Sequence, residues 1–261
     1  MRFCINDFDI YYEKYGTGTT SIIILPGWGD TRPTFNKLIN FLKEHFTVYI
    51  LDYPGFGNSP FPNRDLTIYD YADLINNFIQ TNNITNPIAI GHSFGGRIIT
   101  LLNTVHKTRF KKIILIDSAG IKPKKGFTKL IKQTIYKALK KITYILPSNL
   151  KTKYSNKLIS IFGSTDFKTI SPNIRKSFIN IVNTDLTKQI KNIKCDTLIL
   201  WGENDNDTPL KDAYKFNKLI NDSGLVIIKN SSHFPYLENP NYVHRIIFEF
   251  IKIFATEKEV D

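Results

Sequence analysis

The sequence predicts a doubly wound α/β protein: a mostly parallel central sheet flanked by helices, with one helical insertion. Three observations carry this. Short isoleucine-rich runs alternate with segments of helical spacing through the first 120 residues, the same alternation returns after Cys195, and the strongly basic stretch between them breaks it. Continuous apolar runs suit strands covered on both faces, and strand–helix alternation argues for βαβ units.

Taken in order, Phe8–Lys14 reads as an antiparallel edge. Ser21–Leu25, Thr47–Leu51, Ile88–Ile90 and Lys112–Ile116 read as strands, and Thr197–Trp201 and Gly224–Ile228 as later ones. Between them, residues 34–43 place Phe35, Leu38, Ile39 and Leu42 on one helical face. Tyr69–Gln80 does the same with Ala72, Ile75, Phe78 and Ile79, and Thr67 and Asp70 supply an N-cap and an acidic first turn. Arg97–Val105 and Leu210–Ile220 are helical, and a last helix runs from Pro240 to Phe254 with Asn239 as N-cap and Pro240 at its first position. These elements make a core of residues 1–121 and 192–261. Residues 122–191, after the sixth strand, read as a helical cap inserted over the sheet, not as an independent domain. In the cap Phe127, Leu130, Ile131, Ile135, Ala138, Leu139, Ile142 and Ile145 form one face of a helix, and Lys129, Lys132, Lys137, Lys140 and Lys141 lie largely elsewhere.

Composition removes several classes. With 42% apolar and 22% charged residues in 261, the chain is neither disordered, collagen-like nor coiled-coil. No uncharged apolar run approaches the ~20 residues that span a membrane. A charged N-terminus without an apolar core predicts no signal peptide, and Cys4 and Cys195 are too few for a disulfide framework, so the expected location is cytoplasmic. Isoleucine outnumbers valine 39 to 6 and lysine outnumbers arginine 28 to 7, as codon bias from an AT-rich genome would give. Codon bias does not explain where the charge sits. Residues 121–196 hold 17 basic and 3 acidic side chains, the remainder 18 and 20.

The sharpest local signal is Gly91-His92-Ser93-Phe94-Gly95-Gly96, between the strand Ile88–Ile90 and the helix Arg97–Val105. A strand-to-helix turn this tight strains the backbone at its central residue and needs small neighbours, so Ser93 is held at the apex with its hydroxyl exposed. The helix start beneath it favours developing negative charge.

With its context, this motif resembles the α/β-hydrolase superfamily, and the resemblance covers nearly all of the chain outside the insertion. Pro26-Gly27-Trp28-Gly29 stands where the family has a His-Gly pair, and Pro26 departs from that His. Asp52-Tyr53-Pro54-Gly55-Phe56-Gly57-Asn58-Ser59 is similar to its D-x-P-G-x-G-x-S loop. Trp201-Gly202-Glu203-Asn204-Asp205 with Pro209 is similar to its acid loop, and Ser232-His233-Phe234-Pro235 with Glu238-Asn239-Pro240 to its histidine loop. The resemblance implies a serine hydrolase with a helical cap.

Chemistry assigns the roles. Ser93 needs a base, His233 follows a strand that brings it to the same sheet edge, and Asp205 sits past another strand end, where an acceptor for the second ring nitrogen belongs. The chain order Ser, Asp, His agrees with the family's. Backbone N–H groups of Trp28 and Phe94 would form the oxyanion hole. Asp117 and Asp207 compete with Asp205 for the acid's place. Asp52 reads as a brace for the Gly-rich loop. That loop lacks the lysine of a phosphate-binding loop and the spacing of a dinucleotide fingerprint. His45, His92, His106 and His244 show no metal-ligand spacing and read as surface or packing residues.

The expected activity is cleavage of an ester or similar acyl bond, with no organic cofactor and no metal. A serine at the turn argues against the dehalogenase and epoxide-hydrolase branches, which use Asp there. Carboxylesterase, lactonase, thioesterase, lipase and carbon–carbon bond hydrolase all stay open, as does a ligand-sensing signalling protein with slow turnover. The basic insertion points to an anionic acyl substrate or one carried on an acidic protein, and its amphipathic helix to peripheral membrane contact as a rival. The pimeloyl-carrier-protein methyl esterases of the superfamily share a basic cap. No groove-reading motif accompanies the charge, so nucleic acid is not expected. Oligomeric state is not readable.

Overall fold

In the computed structural model, residues 1–122 and 174–255 are described. Eight strands form one sheet: β1 (Arg2–Ile5), β2 (Phe8–Tyr15), β3 (Ser21–Leu25), β4 (Thr47–Leu51), β5 (Ile88–His92), β6 (Ile113–Ile116), β7 (Thr197–Gly202) and β8 (Ser223–Ile228). Their spatial order is β1-β2-β4-β3-β5-β6-β7-β8, with β1–β2 and β2–β4 antiparallel and every later pair parallel. The helices are α1 (Arg32–Leu42), α2 (Ile68–Thr81), α3 (Phe94–Thr104), α4 (Arg175–Asn183), α5 (Thr187–Ile190), α6 (Leu210–Leu219), α7 (Pro235–Glu238) and α8 (Pro240–Ile251). This is the doubly wound α/β architecture that the alternation predicts.

Successive strand residues point to opposite faces, so each isoleucine-rich strand feeds two apolar layers. Ile22, Ile24, Ile50, Ile90, Ile114 and Leu200 join Phe35, Leu38 and Leu42 of α1 and Val243, Ile247 and Ile251 of α8 in one core cluster. Ile23, Leu115 and Ile199, at the alternate positions, are equally buried. At the start of α2, Thr67 and Asp70 form a reciprocal capping box, as their spacing predicts.

Several expectations shift. The edge strand is β1, not β2: Asn6, at φ 53°, turns the chain into a tight hairpin that adds Arg2–Ile5 outside Phe8–Tyr15. Four residues with one buried side chain carry too little pattern to be seen. Helix α3 starts at Phe94, three residues before Arg97, because the strained turn leads directly into helix despite the glycine pair. The last helix ends at Ile251 and tightens into a 3₁₀ turn over Lys252–Phe254. Asn239 precedes it without capping it: its Nδ2 donates to Ser231 Oγ at 3.3 Å. The short α5 and α7 have no counterpart in the sequence pattern.

The chain divides into two compact units, Met1–Ile121 with Thr184–Asp261, and Lys122–Asn183. In the second, α4 buries Phe178 and Ile181. The amphipathic helix read over Phe127–Ile145 lies outside the described residues.

Strand register positions the site. Leu25 pairs with Gly91, His92 with Ile116, Ile116 with Leu200, and Gly202 with Ile228. The carboxyl ends of β3, β5, β6, β7 and β8 therefore align, and the loops after them share one sheet edge. In open α/β sheets that edge is where ligands bind.

Candidate active site

The turn between β5 and α3 is built by steric exclusion. Ser93 adopts φ 46°, ψ −106°, a left-handed conformation that costs a non-glycine residue energy. It persists because three backbone hydrogen bonds surround it: Ser93 N–H to Ile116 O at 3.0 Å, Gly96 N–H to Ser93 O at 3.1 Å and Ala119 N–H to Ser93 O at 3.0 Å. A Cβ on Gly91 would come within 2.8 Å of Gly96 N, and one on Gly95 would fall on the carbonyl of Leu25 at the end of β3. Glycine is required at both, as the G-x-S-x-G spacing implies. The contact at Gly95 also brings the Pro26–Gly29 loop against the start of α3. Trp28 packs edge-on against Phe94 at 5.2 Å, and Tyr53 and Tyr71 close on the same ring at 5.1 and 5.2 Å. The segments that carry the Trp28 and Phe94 N–H groups are thus neighbours beside Ser93.

On the other side the joints are polar. His233 Nδ1 lies 2.8 Å from Asp205 Oδ2. Among the three candidate carboxylates, the geometry pairs His233 with Asp205. Asp207 contributes its backbone N–H to Asp205 Oδ1 at 2.7 Å, and its own side chain is exposed. Asp205 accepts from three further donors: Thr208 N–H at 3.0 Å, Thr208 Oγ1 at 2.6 Å and that Asp207 N–H. Burial would raise its pKa, but the hydrogen bond and charge of His233, with the Thr208 hydroxyl, outweigh burial and hold it down at about 2. Asp205 is therefore an anion at any ordinary pH, suited to hold an imidazole N–H.

Asp117, at the end of β6, is fully buried with φ 43°. Its Oδ1 accepts from Gly202 N–H at 2.8 Å, and its Oδ2 is sealed from water and from every donor. Burial, opposed by that N–H and reinforced by a side-chain hydrogen bond with Asp205 and by its charge, pushes its pKa up to about 10.

Sequence reasoning missed the residues that hold His233 in place. His92 is a packing residue, as read, but it also carries a hydrogen bond that the sequence did not show: its buried ring lies 2.8 Å, Nε2 to O, from the carbonyl of His233, and its centroid is 4.8 Å from the His233 ring. Burial and the His233 charge lower its pKa to about 3, so it is neutral, and the carbonyl fixes its proton on Nε2. Glu238 accepts from Ser232 N–H at 2.6 Å, from Ser231 Oγ at 2.8 Å and from Ser232 Oγ, tying down the loop before His233. The E-x-P spacing marked Glu238 without giving that role. Elsewhere, His106 meets Asp73 at 3.0 Å and His244 stacks on Phe41. Asp52 braces its loop as read, accepting Asn58 N–H at 2.9 Å.

Asp117, Asp205 and His233 bring ligand-type atoms within 4.8 Å of one another, the one such cluster among the described residues. The Asp205 oxygens already accept four donors, which is the bonding of a hydrogen-bond acceptor and not of a metal ligand. No hydrogen bond joins Ser93 Oγ to His233 among the described residues; such contacts often tighten only with substrate bound. Ser93 is half-buried, and the His233 side chain keeps 12% exposure.

Comparison with known proteins agrees with this frame. A family model described as alpha/beta hydrolase fold matches residues 20–137. The pimeloyl-acyl-carrier protein methyl ester esterase of Wigglesworthia glossinidia brevipalpis is 28% identical over 262 residues, 94% of this chain and 98% of that protein. Its counterpart from Proteus mirabilis (strain HI4320) is 25% identical over 248 residues, covering 89% of this chain and 92% of its own. Among solved structures, an esterase from Exiguobacterium antarcticum aligns with a TM-score of 0.73 at 24% identity, over 94% of this chain and 96% of that one.

Proposed function

We propose that this chain, which has the α/β-hydrolase fold, is a member of that superfamily and hydrolyses carboxylic esters through an acyl-enzyme on Ser93. The observation that carries the reading is the strained apex of Ser93 on the same sheet edge as the His233–Asp205 hydrogen bond. Ser93 Oγ attacks the acyl carbon while its proton passes to His233 Nε2. Asp205 holds Nδ1–H and stabilises the imidazolium. The carbonyl oxygen takes the negative charge and accepts from the N–H groups of Trp28 and Phe94. Collapse expels the alcohol oxygen, which takes the proton back from His233. Water then repeats the sequence on the acyl-enzyme and releases the acid.

Ser93→Ala tests this. Removing one member of the triad costs about 10⁴–10⁶ in rate. Hydrolysis of p-nitrophenyl esters and labelling by a fluorophosphonate should both vanish with the fold intact by circular dichroism. Labelling that survives refutes the assignment. The same esters separate an enzyme from a slow-turnover receptor, which would process about one ester per binding event.

For the substrate, we favour an anionic acyl ester or one borne on an acidic carrier. The charge of residues 121–196, 17 basic against 3 acidic, supports this, as do the carrier-protein esterases among the relatives. Salt screens such attraction over about 10 Å at 0.1 M. Between 0.05 and 0.5 M salt, kcat/KM for a carrier-bound or carboxylated ester should fall roughly 10-fold and that for a neutral ester should hold. Equal responses would remove the charge from the account of specificity.

A further inference from the structure

Two carboxyl groups meet behind His233, and only one of them has the surroundings of an ion. Asp205 is encircled by donors. Asp117 has one, the N–H of Gly202, and its other oxygen is shut away from water and from every donor, with the Asp205 carboxylate beside it. Oxygens of the two side chains lie within 4.8 Å of each other, and no basic residue pairs with Asp117 among the described residues. The titratable groups around it are Asp205 after β7, His233 after β8, and Glu238 and Tyr236 on α7. Three of the four are acids or a phenol, and the histidine already serves Asp205. Two like charges this close cannot both ionise in a dry site.

Its placement is also enforced. Asp117 N–H donates to Leu200 O at 3.0 Å, Thr208 Oγ1 lies 3.1 Å from Asp117 O, and the left-handed backbone favours Asp or Asn over other side chains. The same Thr208 hydroxyl reaches Asp205, so Asp117 and the acid loop form one unit.

We propose that Asp117 is a positioning residue: a carboxylic acid kept neutral beside Asp205, so that the pair holds a single negative charge and that charge sits on the oxygen facing His233. This rests on the reading of Asp205 and His233 as acid and base. No hydrogen bond joins Asp117 to Ser93 among the described residues. Asp117 acts by pinning Gly202 at the root of the acid loop and by leaving the anion to its neighbour. The high pKa follows from the same surroundings.

Asp117→Asn is the test, because an amide reproduces the neutral acid. Its Oδ1 keeps the Gly202 N–H and its NH₂ stands where the acid carried its proton. Stability gives a readout independent of catalysis. An acid that stays protonated in the fold but ionises when unfolded loses stability as pH rises above the ordinary carboxylate range. The amide does not, so Tm of Asp117→Asn should pull ahead of the unsubstituted protein by several degrees at pH 8 and converge with it by pH 4. A difference that does not vary with pH overturns the proposal. If the variant fails to fold, infrared spectra of the unsubstituted protein at pH 7 decide: a protonated-carboxyl band that Asp117→Ser removes supports the proposal, and its absence refutes it. In kinetics, Asp117→Asn should keep kcat within about 3-fold with an unchanged pH profile, and Asp117→Ala should lower kcat more than 10-fold at constant KM. A folded Asp117→Asn that loses 100-fold or more would show that charge is needed at 117, again refuting the proposal. Should the hydrolase reading itself fail, the stability and infrared results would stand, and the two failures are told apart.

Discussion

The two halves of the candidate site are held by different physics. On the Ser93 side, β3 and β5 meet through backbone and glycine. Gly91 and Gly95 admit no Cβ, Ser93 is strained, and rings of Trp28, Tyr53 and Tyr71 close on Phe94. On the His233 side, the loops after β6, β7 and β8 meet through hydrogen bonds to carboxyl groups: four donors on Asp205, three on Glu238, one on Asp117. Overlap at a backbone atom is a hard constraint, so the first half should tolerate no added volume. A hydrogen-bond network degrades in steps as donors are removed, so the second half should fail gradually unless its central anion is lost. His92 joins them, one residue from Ser93 in the chain and bonded to the carbonyl of His233.

The largest expected effect within the polar half falls on Asp205. Asp205→Asn keeps the shape but replaces the anion, leaving the imidazole in the wrong tautomer at a cost near 10⁴ in kcat. Asp207→Asn should stay close to the unsubstituted protein, since Asp207 supplies only its backbone N–H to the site. Steady-state rates of the pair on one neutral ester decide the matter. If Asp207→Asn were the worse, the hydrogen bond between His233 and Asp205 would not be the working one.

In the steric half, Gly95→Ala should act on folding before chemistry. The new methyl falls on the Leu25 carbonyl, and β3 cannot move without opening the sheet. Overpacking costs about 1–3 kcal/mol where side chains yield, and backbone yields less, so at least about 3 kcal/mol is expected here. Gly96→Ala is the control. Its methyl meets the hydroxyl and Cβ of Ser118 at 2.0 and 2.8 Å and no backbone atom nearer than 3.4 Å, so the hydroxyl must turn and the Cβ must give a little, and the loss should be smaller than at Gly95. Urea midpoints measure both. Equal losses would erase the distinction between the two halves.

That distinction also explains what was legible. Steric constraints restrict residue type at fixed local spacing, so G-x-S-x-G and the strand before it announced the turn, and Ser93, Asp205 and His233 could be named from their motifs. Hydrogen-bond partners on different loops obey no spacing. Asp117 and Gly202 are 85 positions apart, and His92 and His233 are 141. Nothing in the sequence says that these pairs meet, so His92 read as a surface or packing residue, and Thr208 drew no notice although it sits three residues past Asp205. The edge strand β1 escaped for a different reason, having four residues and one buried side chain.

The smallest effect is the most informative about the polar half, and it belongs to Thr208. Its hydroxyl lies 2.6 Å from Asp205 Oδ2 and 3.5 Å from His233 Nδ1, so it steadies the carboxylate oxygen that the backbone donors, both on Oδ1, leave to His233. Thr208→Val keeps the shape and removes one charge-assisted hydrogen bond, worth about 1.5–3 kcal/mol. The imidazole still has its acceptor, so kcat should fall only about 3- to 10-fold at constant KM, well short of the ~10⁴ set by the anion itself. Acid stability gives a second reading. Asp205 is held at about 2, below the ordinary 3.8, so the stability it lends is complete above pH 4 and is lost as pH falls through about 2. Without the Thr208 donor its pKa rises, and acid unfolding of Thr208→Val should begin at higher pH, while Thr208→Ser, which keeps the hydroxyl, should follow the unsubstituted protein in both measurements. A Thr208→Val variant as damaged as Asp205→Asn would mean that the network acts as one unit and does not fail in steps.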